Sequence, residues 1–392
     1  MATLQFHPLQ ISHIEPITRD AVALTFTVPA HLADTFAYAA GQYLTLRTTL
    51  DGEELRRSYS ICAAVQDQCL RVAIKRVAGG VFSNWAAEHL RVGSQVDVMP
   101  PQGQFSVPHL AHPRHSPHLA DPSDSSDPSL PPAAPRQVLA FAAGSGITPV
   151  LSILKSTLLA EPQTCVTLVY GNRSSSAAML RQELADLKDS YLGRCNLVWI
   201  MSREPQDIPL FNGRIDYAKC HQLLTHWIDP ARMDAALICG PQDMVQAVSQ
   251  ALQEQGMDTS RIKAELFGTT AHSTARRAAP PVQPGGGQCE VAVVIDGTRR
   301  SFVMQKNQHN LVDAGLAAGL ELPYSCKGGV CSTCRARVVQ GEVDMDNNFA
   351  LEDYEVARGF VLCCQSYPVT DTLVIDFDQD HAAHHAPLLA PA

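Results

Sequence analysis

Three cysteines fall within nine residues, CKGGVCSTC (326–334), and a fourth thiol follows Cys334 after 29 intervening residues, at Cys364, with Cys363 beside it. Whatever this chain folds into must return a distant segment to that loop. Four thiolates suit Zn²⁺ or an iron–sulfur cluster. Structural zinc sites usually come as two short pairs, whereas a tight three with a distant fourth, here Cys326, Cys331, Cys334 and Cys364, is the plant-type [2Fe–2S] spacing. Loop residues 327 to 333 must then wrap the cluster with N–H groups aimed at its sulfurs, a conformation that Gly328 and Gly329 permit. Spacing alone barely separates Cys364 from Cys363 as the last ligand. The other cysteines are spread over a large chain with no secretion signal and read as small buried apolar residues.

Two stretches with little apolar surface divide the chain. Residues 109–136 are rich in Pro, Ser, His and Asp, and residues 268–288 in Ala, Pro and Gly, so both read as linkers. Residues 381–392 read as a tail, and their histidines as solvated coil. The expected arrangement is therefore a domain over 1–108, a second over 137–267 and a third over 289–380. At 392 residues, 45% hydrophobic and 18% charged, the chain is long enough for several cores. A net charge of −9 argues against nucleic acid. No run approaches the roughly 18 apolar residues of a membrane span, and the start MATLQFHPLQ lacks a signal pattern, so a cytoplasmic protein is expected.

The rhythm of each part differs. Before the first linker, Val22, Leu24, Phe26 and Val28 alternate with small or polar residues, as do Leu70, Val72 and Ile74, which predicts a small antiparallel β-barrel. Between the linkers, VLAFAA (138–143), VTLVY (166–170) and AALIC (235–239) are continuous apolar runs, separated by helical segments such as AMLRQELADLK; this is the pattern of an α/β parallel sheet. The last part predicts a hairpin turning at Asp296-Gly297 and a helix over NLVDAGLAAGL, an α+β fold around the cysteine loop.

Turns at the ends of these runs suggest ligands. In GSGITP, Gly144 and Gly146 let the backbone approach a diphosphate, while Thr148 can cap a helix and Pro149 can open it. Cys239-Gly240-Pro241 ends a later strand. Ser202 and Arg203, after LVWIM, suit a 2′-phosphate, with Arg173 as a second candidate, although both arginines also read as surface residues. In RRSYSI, Arg57, Tyr59 and Ile61 share one strand face, with Ser58 and Ser60 on the other. Downstream, Gly79 and Gly80 precede a helix capped near Ser83, whose N-terminus offers N–H groups to a phosphate. Together these suit a flavin, with the Tyr59 ring against it and Arg57 on the phosphate.

The order RSYS, GGVFS, GSGITP, CGP and four-cysteine loop resembles the ferredoxin–NADP reductase family extended by a C-terminal plant-type ferredoxin domain. Within it the chain is similar to the reductase components of the phenylacetyl-CoA epoxidase group, on DGEELRRSYSIC, YGNRS, FALEDYEVARGFVLCCQ and VIDFD. The resemblance implies a β-grasp-like ferredoxin domain, FAD rather than FMN, NADPH as donor, and an oxygenase of a multicomponent monooxygenase as partner. It implies that Arg57, Tyr59, Ser60, Gly80, Val81, Phe82 and Ser83 serve the flavin, that Gly144 to Thr148 and Cys239 to Pro241 surround the nicotinamide dinucleotide, and that Cys364 is the fourth iron ligand; Lys75 is expected to bind one of the two cofactors. Cys239 is expected beside the nicotinamide as a positioning residue; a buried strand-end thiol is its plainer reading.

A hydride delivers two electrons and a [2Fe–2S] cluster takes one, so a flavin between them acts as converter. From Glu290 to Asp380 there are 14 acidic and 7 basic residues, a charge of −7, and six of the acids lie between Glu342 and Glu355 with no base among them. An acidic face steering the domain to a basic patch on the oxygenase is the expectation. Two other readings share some of these features: the reductase of a different aromatic oxygenase, and a zinc-binding regulatory protein.

Overall fold

A computed structural model describes residues 5–107, 135–268 and 287–379, so the two linkers and the tail lie, but for a few edge residues, outside the described chain. The chain divides into two compact units, one reaching Gly268 and one beginning at Thr269.

In the first unit, β1 (His7–Thr18), β2 (Ala21–Thr27), β3 (Tyr43–Leu50), β4 (Glu53–Ser60), β5 (Leu70–Lys75) and β6 (Gln95–Gln102) form an antiparallel sheet in the order β4-β3-β6-β1-β2-β5. A bridge from Ile61 to Val72 joins the two outer strands and closes the barrel, which removes exposed edges. Its core holds Leu24, Phe26, Leu70, Val72 and Ile74, the residues whose alternation marks the strands. Helix α1 (Val81–His89) follows β5. Its N-cap is Gly80 rather than Ser83; the Ser83 hydroxyl folds back to accept from the Val77 N–H at 3.1 Å.

The same unit continues with a parallel sheet of β7 (Gln137–Ala143), β8 (Cys165–Asn172), β9 (Cys195–Met201), β10 (Ala235–Cys239) and β11 (Ile262–Glu265), in the order β11-β10-β7-β8-β9. Helices α2 (Ile147–Ala160), α3 (Arg181–Ser190), α4 (Tyr217–His226) and α5 (Gln242–Glu254) connect them. α3 starts later than AMLRQELADLK predicts. Ala178, Met179 and Leu180 are drawn into the core, and Leu180 takes a left-handed φ of 55°, which a helix cannot continue through. Ala21, Ala40, Cys62, Ala73 and Phe105 of the barrel segment share one hydrophobic core with the sheet and α2. Polar bonds fix the same joint. The Ser152 hydroxyl donates to the Ala63 carbonyl at 2.6 Å, and Arg71, nearly buried, bridges Glu15 of the barrel and Glu183 of α3 at 2.9 and 2.8 Å.

The second unit contains β12 (Gln288–Ile295), β13 (Thr298–Gln305), α6 (Leu311–Ala317), β14 (Arg335–Gln340), β15 (Val343–Met345), α7 (Asp353–Ala357), β16 (Phe360–Leu362), β17 (Ser366–Pro368) and β18 (Thr372–Asp376). The main sheet runs β13-β12-β18-β14-β16, with β12 and β18 parallel and the other pairs antiparallel; β15 and β17 pair separately. The hairpin turns at Asp296 and Gly297, φ 50° and 70°, the left-handed pair a two-residue turn needs. α6 is shorter than NLVDAGLAAGL predicts: Asn310 caps it through Asp313 N–H, and Gly319 at φ 79° lies past its end.

Candidate functional site

The carboxyl edge of the parallel sheet gathers most of the expected nucleotide residues. After β7, Gly144 turns at φ 55°. A Cβ on Gly146 would lie 2.1 Å from the Cys239 carbonyl, so the GSG turn touches the Cys239-Gly240 turn only because it carries no side chain. The Tyr170 hydroxyl donates to the Gly144 carbonyl at 2.8 Å and steadies the turn from below. Thr148 does not cap α2; its hydroxyl donates to the Ser145 carbonyl. Pro241 is the N-cap of α5, in extended backbone without a capping side chain. This cradle, open to backbone approach and with the α2 N-terminus beside it, fits a dinucleotide phosphate.

The barrel turns three side chains toward this edge. Lys75 Nζ lies by Gly144, 3.9 Å from where its Cβ would stand, and 4.0 Å from Asp20 Oδ2. Asp20, in the β1–β2 turn, also takes the Arg173 guanidinium at 3.0 Å. Burial works to raise the Asp20 carboxyl, but the Thr18 hydroxyl, Lys75 and Arg173 outweigh it and lower it. Burial holds the Lys75 ammonium below its usual value, against the pull of Asp20. The third is Ser60, whose hydroxyl donates to Glu265 at 3.4 Å. Glu265 pairs in register with Cys239, and removal from water pushes its carboxyl up to about 8. Cys239 is wholly buried; burial first, and the Glu265 charge second, keep its thiol well above the ordinary range.

The flavin residues fall into two sets. Arg57 and Tyr59 lie on one face of β4, and the Tyr59 ring sits 5.8 Å from the Phe82 ring. Burial raises the Tyr59 hydroxyl above its usual value, and Arg57 partly offsets this. Phe82 is buried in the barrel core, so its backbone rather than its ring is available to a ligand, while Val81 is 59% exposed. Gly79 at φ 73° and Gly80 bring the chain into α1, whose first N–H groups lack helical acceptors. That end fits an anionic phosphate, with the Tyr59 ring as the flat surface nearby.

In the second unit, Cys326, Cys331, Cys334 and Cys364 converge: Cys326 touches both Cys331 and Cys364, and Cys364 touches Cys334. N–H groups of Cys326, Gly328 and Cys364 approach the sulfurs of Cys331, Cys326 and Cys334 at 3.3, 3.3 and 3.4 Å. The Cys363 thiol is absent from these contacts and is wholly buried in the core of this unit. The loop bends through left-handed φ at Lys327 (51°) and Gly329 (75°), not at the expected Gly328, which instead donates its N–H. A Cβ on Gly329 would stand 2.9 Å from the Asn347 carbonyl. Among the described residues no three His, Cys, Asp or Glu close on a point that would hold a single metal ion. A two-iron cluster does not need that, because each iron takes only two protein sulfurs; the donor set fits [2Fe–2S].

Of the six clustered acids, Glu355 does not face solvent. It is 2% exposed and binds Arg335 Nε at 2.8 Å, while the Arg335 guanidinium lies 3.5 Å over the Phe360 ring. The acidic face therefore consists of Glu342, Asp344, Asp346 and Asp353, with Glu352 partly covered.

Known families match all three parts: an oxidoreductase FAD-binding domain over residues 8–107, an oxidoreductase NAD-binding domain over 141–250 and a 2Fe-2S iron-sulfur cluster binding domain over 293–369. A component of the 1,2-phenylacetyl-CoA epoxidase of Escherichia coli (strain K12) is 42% identical over 375 residues, 95% of this chain and 98% of that protein. The chain belongs to this ferredoxin-reductase family. A second relative of the reductase is the ferredoxin reductase component of 3-ketosteroid-9-alpha-monooxygenase from Rhodococcus rhodochrous, 33% identical over 94% of this chain and 96% of that protein. Among solved structures, a phthalate dioxygenase reductase shares the fold at TM-score 0.55 and 23% identity, covering 95% of this chain and 98% of that one. The reductase is thus an NAD(P)H-dependent oxidoreductase, the flavin and iron–sulfur electron-transfer component of an oxygenase system. No helix among the described residues is long and apolar enough to cross a membrane.

Sequence reasoning misses Asp20, Glu204 and Glu265. Asp20 is an ordinary turn acid in TRD. Glu265 carries a faint signal: it ends the last strand before the second linker, where ligands of open sheets gather. Glu204, held by the Ser175 N–H and hydroxyl, is masked in the sequence by the cation beside it, Arg203.

Proposed function

We propose that the chain takes reducing equivalents from NADPH and delivers them singly to the oxygenase component of a phenylacetyl-CoA ring epoxidase in phenylacetate breakdown. The observation that carries this is the 42% identity to the epoxidase component, which runs through all three parts of the chain rather than the cofactor motifs alone. A similarity of 33% to the steroid monooxygenase component leaves a shared reductase scaffold with a different oxygenase as the second reading.

Bound here, FAD would supply the exchange between two-electron hydride chemistry and single-electron transfer, and a [2Fe–2S] cluster the one-electron relay. The chain's own residues do the rest. Tyr59, Arg57 and the α1 N-terminus hold the flavin. Gly144, Gly146 and Gly240 admit the dinucleotide backbone, with Lys75 beside its phosphates. Ser202, Arg203 and Arg173 form a subsite for the 2′-phosphate, which favours NADPH over NADH. Cys239 fills the floor beneath the nicotinamide as a neutral, water-excluding side chain. Glu265 holds a proton next to Ser60 Oγ, at hand for a ring that must take one up on reduction. Cys326, Cys331, Cys334 and Cys364 are the iron ligands.

An anaerobic titration with NADPH, read by visible absorbance, tests the chain of carriers: flavin and cluster should both bleach. Extraction of the flavin should give FAD. Mixing with the epoxidase oxygenase should make NADPH oxidation depend on phenylacetyl-CoA; oxidation that is equal with and without that thioester assigns the chain to another oxygenase.

A further inference from the structure

The end of β9 carries two opposed signals for coenzyme choice. Ser202 and Arg203 suit a 2′-phosphate, whereas a carboxylate at the end of a strand in such a sheet, here Glu204, is the usual partner of an unphosphorylated ribose. Backbone bonds from Ser202 N–H to the Asn172 carbonyl at 2.9 Å and from Arg203 N–H to the Arg173 carbonyl at 2.8 Å prolong the β8–β9 pairing past both strands. They set 202–204 directly against 172–175. Arg203 is exposed and makes no side-chain hydrogen bond or ion pair among the described residues. Glu204 is held twice by one residue: Ser175 donates its N–H to one carboxylate oxygen at 2.7 Å and its hydroxyl to the other at 2.5 Å. Arg181, at the start of α3, adds attraction from the same side.

We propose that Ser175 is a positioning residue for coenzyme selection: by holding Glu204 away from Arg203 it leaves the subsite cationic and so admits a 2′-phosphate. This rests on reading Ser202 and Arg203 as the phosphate subsite. Without the hydroxyl, Glu204 keeps only the bond from the Ser175 N–H, and its other oxygen is released to pair with Arg203 and to repel the phosphate dianion. One such charge at the surface changes affinity by roughly fivefold.

The test uses the full chain with its flavin and cluster, and two coenzyme fragments, 2′,5′-ADP and 5′-AMP, as ligands in calorimetry. The wild type should prefer 2′,5′-ADP. Ser175→Ala should cut that preference about fivefold and raise KM for NADPH but not for NADH, and adding Glu204→Gln to it should restore both. An unchanged preference in Ser175→Ala overturns the role of Ser175. So does a loss that the double variant fails to restore, since that loss would come from a loosened loop. A wild type that binds the two fragments equally overturns the phosphate subsite itself, and the proposal with it.

Discussion

At the level of single side chains, the four-cysteine loop makes a sharp contrast between neighbours. Cys363 and Cys364 are both buried, yet only the Cys364 thiol meets the thiols of Cys326 and Cys334; Cys363 reaches Cys334 through its backbone N–H. Cys364→Ser should abolish the visible absorbance of the iron–sulfur centre while retaining the flavin, and Cys363→Ser should keep both chromophores. Spacing is silent here because adjacent residues reach the loop over equal chain lengths; what separates them is the direction of each thiol in the turn after Leu362, which the fold sets and the sequence does not show. Glu265 gives a pH signature. Its carboxyl, raised to about 8 by burial from an ordinary 4.5, makes the folded chain bind a proton that the unfolded chain has lost over that interval. Stability contributed by the protonated form therefore falls as pH rises through that window. Thermal unfolding of Glu265→Gln beside the wild type should show the variant's relative stability growing from pH 5 to pH 8; parallel curves would refute a buried proton.

Elements are legible where one period runs unbroken. The alternation of β2 and β5 and the apolar runs of β7, β8 and β10 stand where the sequence places them, because each strand buries the face or faces its pattern advertises. Ends are less legible. α1 begins at Val81, capped by Gly80 and not by Ser83, whose hydroxyl is used by the Val77 N–H, a contact made across a bend and not encoded by spacing. The Arg335–Glu355 pair is invisible for a similar reason: 20 residues separate two charges that sequence counts as surface. It ties α7 to the strand that follows Cys334. Glu355→Gln, which leaves the amide able to accept from Glu352 N–H, should destabilise the second unit by roughly 3 kcal/mol, whereas a paired apolar replacement, R335M with E355L, should cost far less. Denaturant titration of the cluster-loaded protein, followed by its colour, measures both. Packing at the glycine turns is as strict. Gly146→Ala places a methyl group into the Cys239 carbonyl, so KM for NADPH should rise on the order of tenfold with flavin content preserved.

Over the whole molecule, charge is distributed unevenly. Of the net −9, −7 falls between residues 290 and 380. With Glu355 turned inward, Glu342, Asp344, Asp346 and Asp353 are the acids of this cluster left exposed, and a field that steers docking would come from them. Electron delivery to the oxygenase should slow on the order of tenfold between about 0.02 and about 0.5 M salt, while NADPH reduction of a small neutral acceptor changes little. Stopped-flow traces at the two ionic strengths separate these. The barrel and the parallel sheet share one core and the Arg71 bridge, and they form one unit that reaches Gly268. A chain cut at that glycine should therefore survive as a dye-reducing diaphorase: it would still burn coenzyme, but with no outlet to the oxygenase.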